Sequence, residues 1–172
     1  MADFNNAFNL TMQNEGGFVL HKVEGDNGGW TFAGIAENFW PNWAGWPIVR
    51  ECGEQDPRLT PLVKQFYREH FWNKMKGDDI CEQETAFNIF DFGVNAGMKT
   101  SIKIAQQIAG VIADGVIGPK SLEALNAISG KDFDYMMFAM KMERYSRIVK
   151  ANPSQSKFLL GWTIRSLNVL KS

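Results

Sequence analysis

Apolar residues recur every three or four positions through most of this chain, and that period admits little but helix. Phe4, Ala7, Phe8, Thr11 and Met12 share one face of a first segment, with Asp3 placed to cap it, and the segment is expected to run to about Asn14. Leu59, Leu62, Val63, Phe66, Tyr67 and His70 repeat the pattern after Pro57. Ala86, Ile89, Phe90, Gly93 and Val94 predict a helix over Glu82–Gly97, and Ile102, Ala105, Gln106 and Ala109 a shorter one after it. Gly118-Pro119 opens another, because proline fits the first turn of a helix. Phe133, Met136, Met137, Met140, Tyr145 and Ile148 predict a long helix that Asn152-Pro153 stops, and Phe158, Leu159, Trp162 and Leu167 mark a last one. Asp114-Gly115 reads as a turn.

One stretch breaks the period. Gly16-Gly17 ends the first helix, and Phe18–Ile35 holds four more glycines, at 25, 28, 29 and 34. This density predicts a loop or a short irregular hairpin. The following NFWPNWAGWPIVREC reads as an irregular aromatic segment with short helical turns. The expected architecture is mainly α, with a small irregular or β flap near the start. At 172 residues the chain is expected to form one compact unit and can bury about 70% of its unfolded surface.

Charge narrows the function. Eighteen basic against 19 acidic residues leave a net charge of −1, with no basic run longer than two, which argues against a broad nucleic-acid interface. No apolar run approaches the length of a membrane span. The start MADFNNAFNL lacks a positive n-region, so the chain is expected to be made in the cytoplasm without a signal peptide. If its substrate lies outside the cytoplasm, another system must release or export it. Cys52 and Cys81 form no CxxC pair and lie far from His21 and His70 in sequence. No metal site and no cofactor are expected. The cysteines read as two free thiols, with one disulfide after export as the alternative. Nothing resembles a heptad repeat, and a monomer is expected.

The chemistry is expected in the glycine-rich stretch. Glu15 precedes two glycines, so a bulky ligand can reach its carboxyl from that side. If Phe18 and nearby Trp shield it, its pKa rises and it stays protonated near neutral pH, as a general acid of glycoside hydrolysis must. A surface glutamate before a helix-ending glycine is the competing reading. Asp26 lies in Asp-Asn-Gly-Gly, itself a good turn sequence. Beside it stand Gly29, Trp30 and Thr31. Sugars are held by flat aromatic faces with carboxylates and amides on their hydroxyls, so Trp30, Trp40, Trp43 and Trp46 are candidate platforms, each equally readable as core.

Three motifs in order, Glu-Gly-Gly-Phe (15–18), Asp-x-Gly-Gly-x-Thr-x-x-Gly-Ile (26–35) and Asp91-Phe92-x-x-Asn95-x-Gly97, resemble the glycoside hydrolase family 108 muramidases, which include phage-type endolysins and secretion activator proteins. Asp114-Gly115-x-Ile117-Gly118-Pro119 and Gly161-Trp162-x-x-Arg165 are similar to the peptidoglycan-binding-like region that follows in such proteins. The resemblance implies a lysozyme-like fold, a hydrolase region over 1–98 and a helical peptidoglycan-binding-like region over 99–172. It implies cleavage of the β-1,4 bond between N-acetylmuramic acid and N-acetylglucosamine, with Glu15 as general acid. Asp26 then holds water or stabilises the sugar cation, and Thr31 assists. Gly16, Gly17, Phe18, Gly29, Trp30, Asn95 and Gln106 are expected at the substrate. Asp91 is expected to be structural, orienting the glycine-rich flap through backbone N–H groups, or else to line the cleft with Asn95. The family commonly carries tyrosine where Phe18 stands, a small residue or proline at Trp30, and an aromatic at Ala33. These departures bear on sugar contacts more than on the acid. Two alternatives stand beside the enzyme: a non-catalytic peptidoglycan-binding module, and a secretion-assisting factor working by protein contact.

Overall fold

The computed structural model describes residues 1–14, 17–22 and 29–171. Glu15, Gly16 and Asp26 lie outside the described residues. The protein is 69% helical, with eight α-helices among the described residues and one small antiparallel sheet of three strands. It is the mainly α, lysozyme-like fold with an N-terminal flap that the sequence predicts. The chain divides into two compact units, Phe8–His70 and Met1–Ala7 with Phe71–Ser172.

Helix α1 (Phe4–Asn14) starts where Asp3 accepts a hydrogen bond from the Asn5 N–H at 2.9 Å. In the Phe8–His70 unit, β1 (Leu20–Lys22), β2 (Trp30–Phe32) and β3 (Ile35–Ala36) form a meander in that order. Leu20 pairs with Phe32, His21 with Thr31 and Lys22 with Trp30, while Thr31 also pairs with Ala36. Only Ala33 and Gly34 separate the second pair, with φ of 48° and 78°, the positive values that a two-residue hairpin turn matching the sheet's twist demands. Ala33 is fixed in this unfavourable region by the Tyr67 hydroxyl, which donates to its carbonyl at 2.9 Å. Two helices complete the unit, α2 (Gly45–Cys52) and α3 (Leu59–Tyr67).

α2 gathers part of a segment expected to be irregular with short helical turns into one helix of 8 residues. Its Pro47 sits in the first turn, where a missing N–H removes no helical bond, and Gly45, Trp46 and Val49 are buried on one face. Aromatic rings build the core of this unit. Phe8 meets Tyr67 edge-on at 5.6 Å, Phe32 stacks with Trp43 at 6.0 Å, and Trp43 meets Trp46 at 5.4 Å.

The other unit is helical. α4 (Gln83–Ala96) has every residue from Thr85 to Gly93 buried, so it is surrounded on all sides rather than amphipathic. α5 (Met98–Ile108), α6 (Pro119–Asn126), α7 (Gly130–Ala151) and α8 (Ser156–Lys171) follow, with α4 packing on α5 and α7, and α7 on α8. Pro119 opens α6 and the Ser129 hydroxyl caps α7 by accepting from the Asp132 N–H. Phe4, Trp72 and Phe90 form an edge-to-face trio at 5.6–6.0 Å. Cys52 and Cys81 are free and exposed. Among the described residues no helix is long and apolar enough to cross a membrane.

Candidate active site

Position 15 follows directly on the last residue of α1. Two residues on, Gly17 has φ +81° and its N–H donates to the Met12 carbonyl at 2.9 Å, folding the chain back over the helix end. No described side chain stands within 4 Å of where a Cβ on Gly17 would lie. Phe18 packs edge-on against Phe32 at 6.1 Å, anchoring this end to the sheet. β1 is held by Glu54, whose carboxylate accepts from the Leu20 N–H at 2.7 Å.

Segment 23–28, which carries Asp26, joins the paired residues Lys22 and Trp30 through Gly29. Gly29 has φ +71°, and a Cβ there would meet the Asn38 amide at 2.9 Å. Its glycine is thus explained by this contact and its backbone. Thr31 sits in the middle of the central strand, half-buried, opposite His21. Paired residues on adjacent strands point to the same face, so His21 and Thr31 share one side of the flap. His21 was not among the residues singled out from sequence; the alternation of Leu-His-Lys against Trp-Thr-Phe is the signal that finds it.

The four candidate tryptophans separate. Trp30 is 45% exposed and Trp40 38%, so both present ring surface. Trp43 is half-buried against Phe32, and Trp46 is buried, its indole N–H donating to the Trp40 carbonyl at 2.9 Å. Trp46 is therefore core and not an open platform. Trp30 borders a cavity of about 330 Å³ lined by Leu20, Trp30, Glu37, Trp46, Val49 and Arg50, in which Glu37 and Arg50 form an ion pair. A second cavity of about 370 Å³ opens between Phe39, Trp40, Phe66 of α3 and Glu69, two residues beyond the end of α3. Both hold an aromatic surface beside a carboxylate, the pairing that suits a pyranose.

The remaining expected residues lie in the helical unit. Asn95 is exposed near the end of α4. Asp91 is buried and takes a bidentate bond from Arg165 of α8, with Nε to Oδ2 at 3.1 Å and Nη2 to Oδ1 at 2.9 Å. That ion pair supplies a structural role for Asp91.

Gln106 requires a correction. It is 1% exposed, and its amide nitrogen lies within hydrogen-bond reach of Asp114 Oδ1 (2.8 Å), the Val116 carbonyl (3.0 Å) and Ser121 Oγ (3.1 Å), while its oxygen accepts from the Gly115 N–H at 2.8 Å. With its polar atoms committed inside the protein, it clasps the Asp114-Gly115 turn rather than meeting substrate. Donation from Gln106 first, and from the Val116 N–H next, holds the Asp114 carboxyl below its usual pKa.

Behind Asp91 lies a second polar cluster. Lys141 of α7 is 2% exposed; its ammonium donates to Asn88 Oδ1 and lies 5.0 Å from the centre of the Phe92 ring. The Asn88 amide in turn donates to Asp134 at 2.8 Å. Burial lowers Lys141 to a pKa of about 8 and raises Asp134.

Comparison with known proteins bears on what these sites serve. The model of the family described as "Glycosyl hydrolase 108" matches residues 8–97, more than half of the chain. The chain belongs to this family. A second model, described as "Predicted Peptidoglycan domain", matches residues 100–167. Among solved structures the protein is similar to SagA of Brucella abortus, at 27% identity over 98% of this chain and 91% of that one, with a TM-score of 0.75. No curated protein matches it. As a member of glycosyl hydrolase family 108, the protein is a glycoside hydrolase by family and its function is related to peptidoglycan. The two matched ranges do not coincide with the compact units: α4 falls in the hydrolase match yet packs on α5 and α7 of the peptidoglycan match.

Proposed function

We propose that the protein is a lysozyme-like N-acetylmuramidase that hydrolyses the β-1,4 bond between N-acetylmuramic acid and N-acetylglucosamine in peptidoglycan. The observation that carries this reading is the family 108 match across the segment that holds Glu15, Asp26 and Thr31. Glu15, protonated at neutral pH, gives its proton to the bridging oxygen as the bond breaks through an oxocarbenium-like state. Asp26 holds water or stabilises the sugar cation, and Thr31, half-buried on the flap, binds the same water. His21, across the strand pair from Thr31, is a further donor or acceptor for it. Phe18 and Trp30 supply apolar surface to the sugar. Residues 1–98 carry the hydrolase and 99–172 bind the wall. The protein is made in the cytoplasm and reaches the wall by release or through another export system.

The test is digestion of purified peptidoglycan followed by mass spectrometry. Muropeptides with reducing muramic acid ends are expected, and Glu15→Gln is expected to lower their release by about 10²–10⁴-fold while wall binding persists. Reducing glucosamine ends would overturn the bond assignment. Equal lysis by both proteins would overturn the role of Glu15, and absence of hydrolysis by the native protein, with binding retained, would leave a binding module.

A further inference from the structure

We propose that the groove between α5 and α7 is a binding site for the acidic stem peptides of peptidoglycan, and that it reads their carboxylates. The proposal rests on peptidoglycan being the partner, and it specifies which part of the polymer this region holds.

Charge is distributed unevenly along the chain. Residues 100–167 carry nine Lys and Arg against five Asp and Glu, a net of +4, so the remainder carries −5 to reach the total of −1. Two of the nine cations, Lys141 and Arg165, are committed internally to Asn88 and Asp91. Three others converge on one feature. Lys103 of α5 and Arg144 and Arg147 of α7 line a groove of about 430 Å³, together with Thr100, Ile104, Gln107, Met140, Ile148 and Ala151. Thr100, Lys103, Ile104 and Gln107 follow the i, i+3, i+4, i+7 order of one helix face. Met140, Arg144, Arg147, Ile148 and Ala151 do the same on the other. Two packed helices therefore turn matching stripes toward the same space.

The stripes differ in chemistry from floor to rim. Ile104, Met140 and Ile148 are buried or half-buried and form an apolar floor, whereas Lys103 and Arg147 are exposed. Arg144 is half-buried, and among the described residues it makes no ion pair or hydrogen bond. Acidic groups are also near: Glu143 pairs with Arg147 at 3.0 Å, and Asp114 is close enough to Lys103 to feel its charge. Both of these contacts lie at the rim and leave the half-buried guanidinium to the groove.

An apolar floor under a planar donor fork suits a ligand whose short aliphatic groups alternate with carboxylates. Stem peptides have that chemistry, with alanine methyls and a diamino-acid chain interrupted by free carboxyl groups. A polyphosphate strand would be met by cations alone and has no use for Ile104, Met140 and Ile148. A nucleic acid would need a broader basic face than three side chains.

The experiment uses the full chain carrying Glu15→Gln, so that the wall is not digested, and compares it with the same chain carrying Lys103→Gln and Arg144→Gln as well. Three sedimentation substrates are used: intact peptidoglycan freed of phosphate polymers, the same glycan stripped of its peptides by an amidase, and peptidoglycan with its phosphate polymers retained. The double substitution is expected to weaken binding to peptide-bearing wall about tenfold and to leave binding to stripped glycan unchanged. A soluble alanine- and glutamate-containing stem tetrapeptide is expected to compete with the wall and to shift amide resonances of α5 and α7. Equal binding of stripped and intact wall, or a requirement for phosphate polymers, would overturn the assignment. So would unchanged affinity of the folded double variant, with folding checked by circular dichroism. Hydrolysis of stripped glycan by the chain with native Glu15 reports separately on the muramidase reading, so the two fail independently.

Discussion

The flap-bearing unit Phe8–His70 and the helical unit bury different kinds of side chain. Among the described residues, nine of the ten buried polar or charged side chains belong to the helical unit: Thr85, Asn88, Asp91, Ser101, Gln106, Ser121, Asp134, Lys141 and Ser166. The flap-bearing unit has Thr11. Its sheet is instead held from the edges, by Glu54 on Leu20 and Tyr67 on Ala33, over a floor of stacked rings. Aromatic packing is tolerant of small shifts, whereas bonds between buried polar groups are directional and penalise any loss of partner. Apart from Thr85, whose buried hydroxyl has no hydrogen-bond partner among the described residues, the helical unit is thus specified by pairing and the other by ring packing. The difference also fits the proposed division of labour, with a flap that must admit a polymer and a helical part that must keep a groove in register.

The sharpest way to break this comparison is to remove one partner from the Asp91–Arg165 pair. Arg165→Leu leaves a carboxylate 1% exposed without its bidentate partner, and the expected loss of stability is about 3–5 kcal/mol. The double variant Asp91→Leu, Arg165→Leu is expected to recover much of that loss, because the penalty comes from a buried carboxylate deprived of its bidentate donor rather than from the missing bond. Urea unfolding measures both. If the single variant loses less than about 1 kcal/mol, the pair contributes no more than a surface one and the contrast between the units fails.

Lys141 gives a smaller effect with an unusual sign. Burial holds its pKa at about 8, below the 10.5 of an exposed lysine, against the opposing pull of Asp91 and Asp134 and with the push of Arg165. Above pH 8 the folded chain releases this proton, while the unfolded chain keeps it to about pH 10. Across that window the unfolded state binds more protons, so stability from this group rises with pH, by about 2 kcal/mol at most between pH 8 and 10. Tyr145, raised by burial, acts in the opposite sense only where exposed tyrosines ionise, near pH 10. Thermal unfolding at pH 7.5, 8.5 and 9.5, in the native protein and in Lys141→Met, isolates the contribution as a slope the variant lacks. A native slope no steeper than the variant's would mean the ammonium is solvated and the cluster is not closed.

The two units also differed in how well their sequence disclosed them. α4 to α8 follow from apolar spacing and from Pro119 and Asn152-Pro153, because a helix is a local object and its stops are local too. α2 was legible only as short helical turns in an irregular segment, because Pro47 and the cluster of tryptophans masked a helix in which a first-turn proline is harmless and Trp46 is core. The hairpin was legible as a glycine-rich flap, but not its third strand, which is two residues long. Gln106 was placed at the substrate because its partners Asp114, Gly115, Val116 and Ser121 meet it only after the turn folds back. The α5–α7 groove was equally invisible, since Lys103 and Arg144 are far apart in sequence and form no basic run. Local chemistry is written along the chain; convergence of distant side chains is not.

The smallest expected change in stability separates ring packing from ring presentation inside the flap-bearing unit. Trp30 is 45% exposed at the start of β2, beside the cavity that Glu37 and Arg50 share, whereas Trp46 in the same cavity wall is buried. Trp30→Ala is expected to alter unfolding free energy by no more than about 0.5 kcal/mol, the range of a surface substitution. If its ring serves the sugar, the same change raises KM for soluble glycan about fivefold with kcat less affected, since stacking acts on bound substrate before the bond breaks. A stability loss above about 1 kcal/mol would instead assign Trp30 to the packing that holds the sheet. The flap's aromatic surface would then be structural throughout, and the sugar contacts would have to be sought at Trp40 and Phe39.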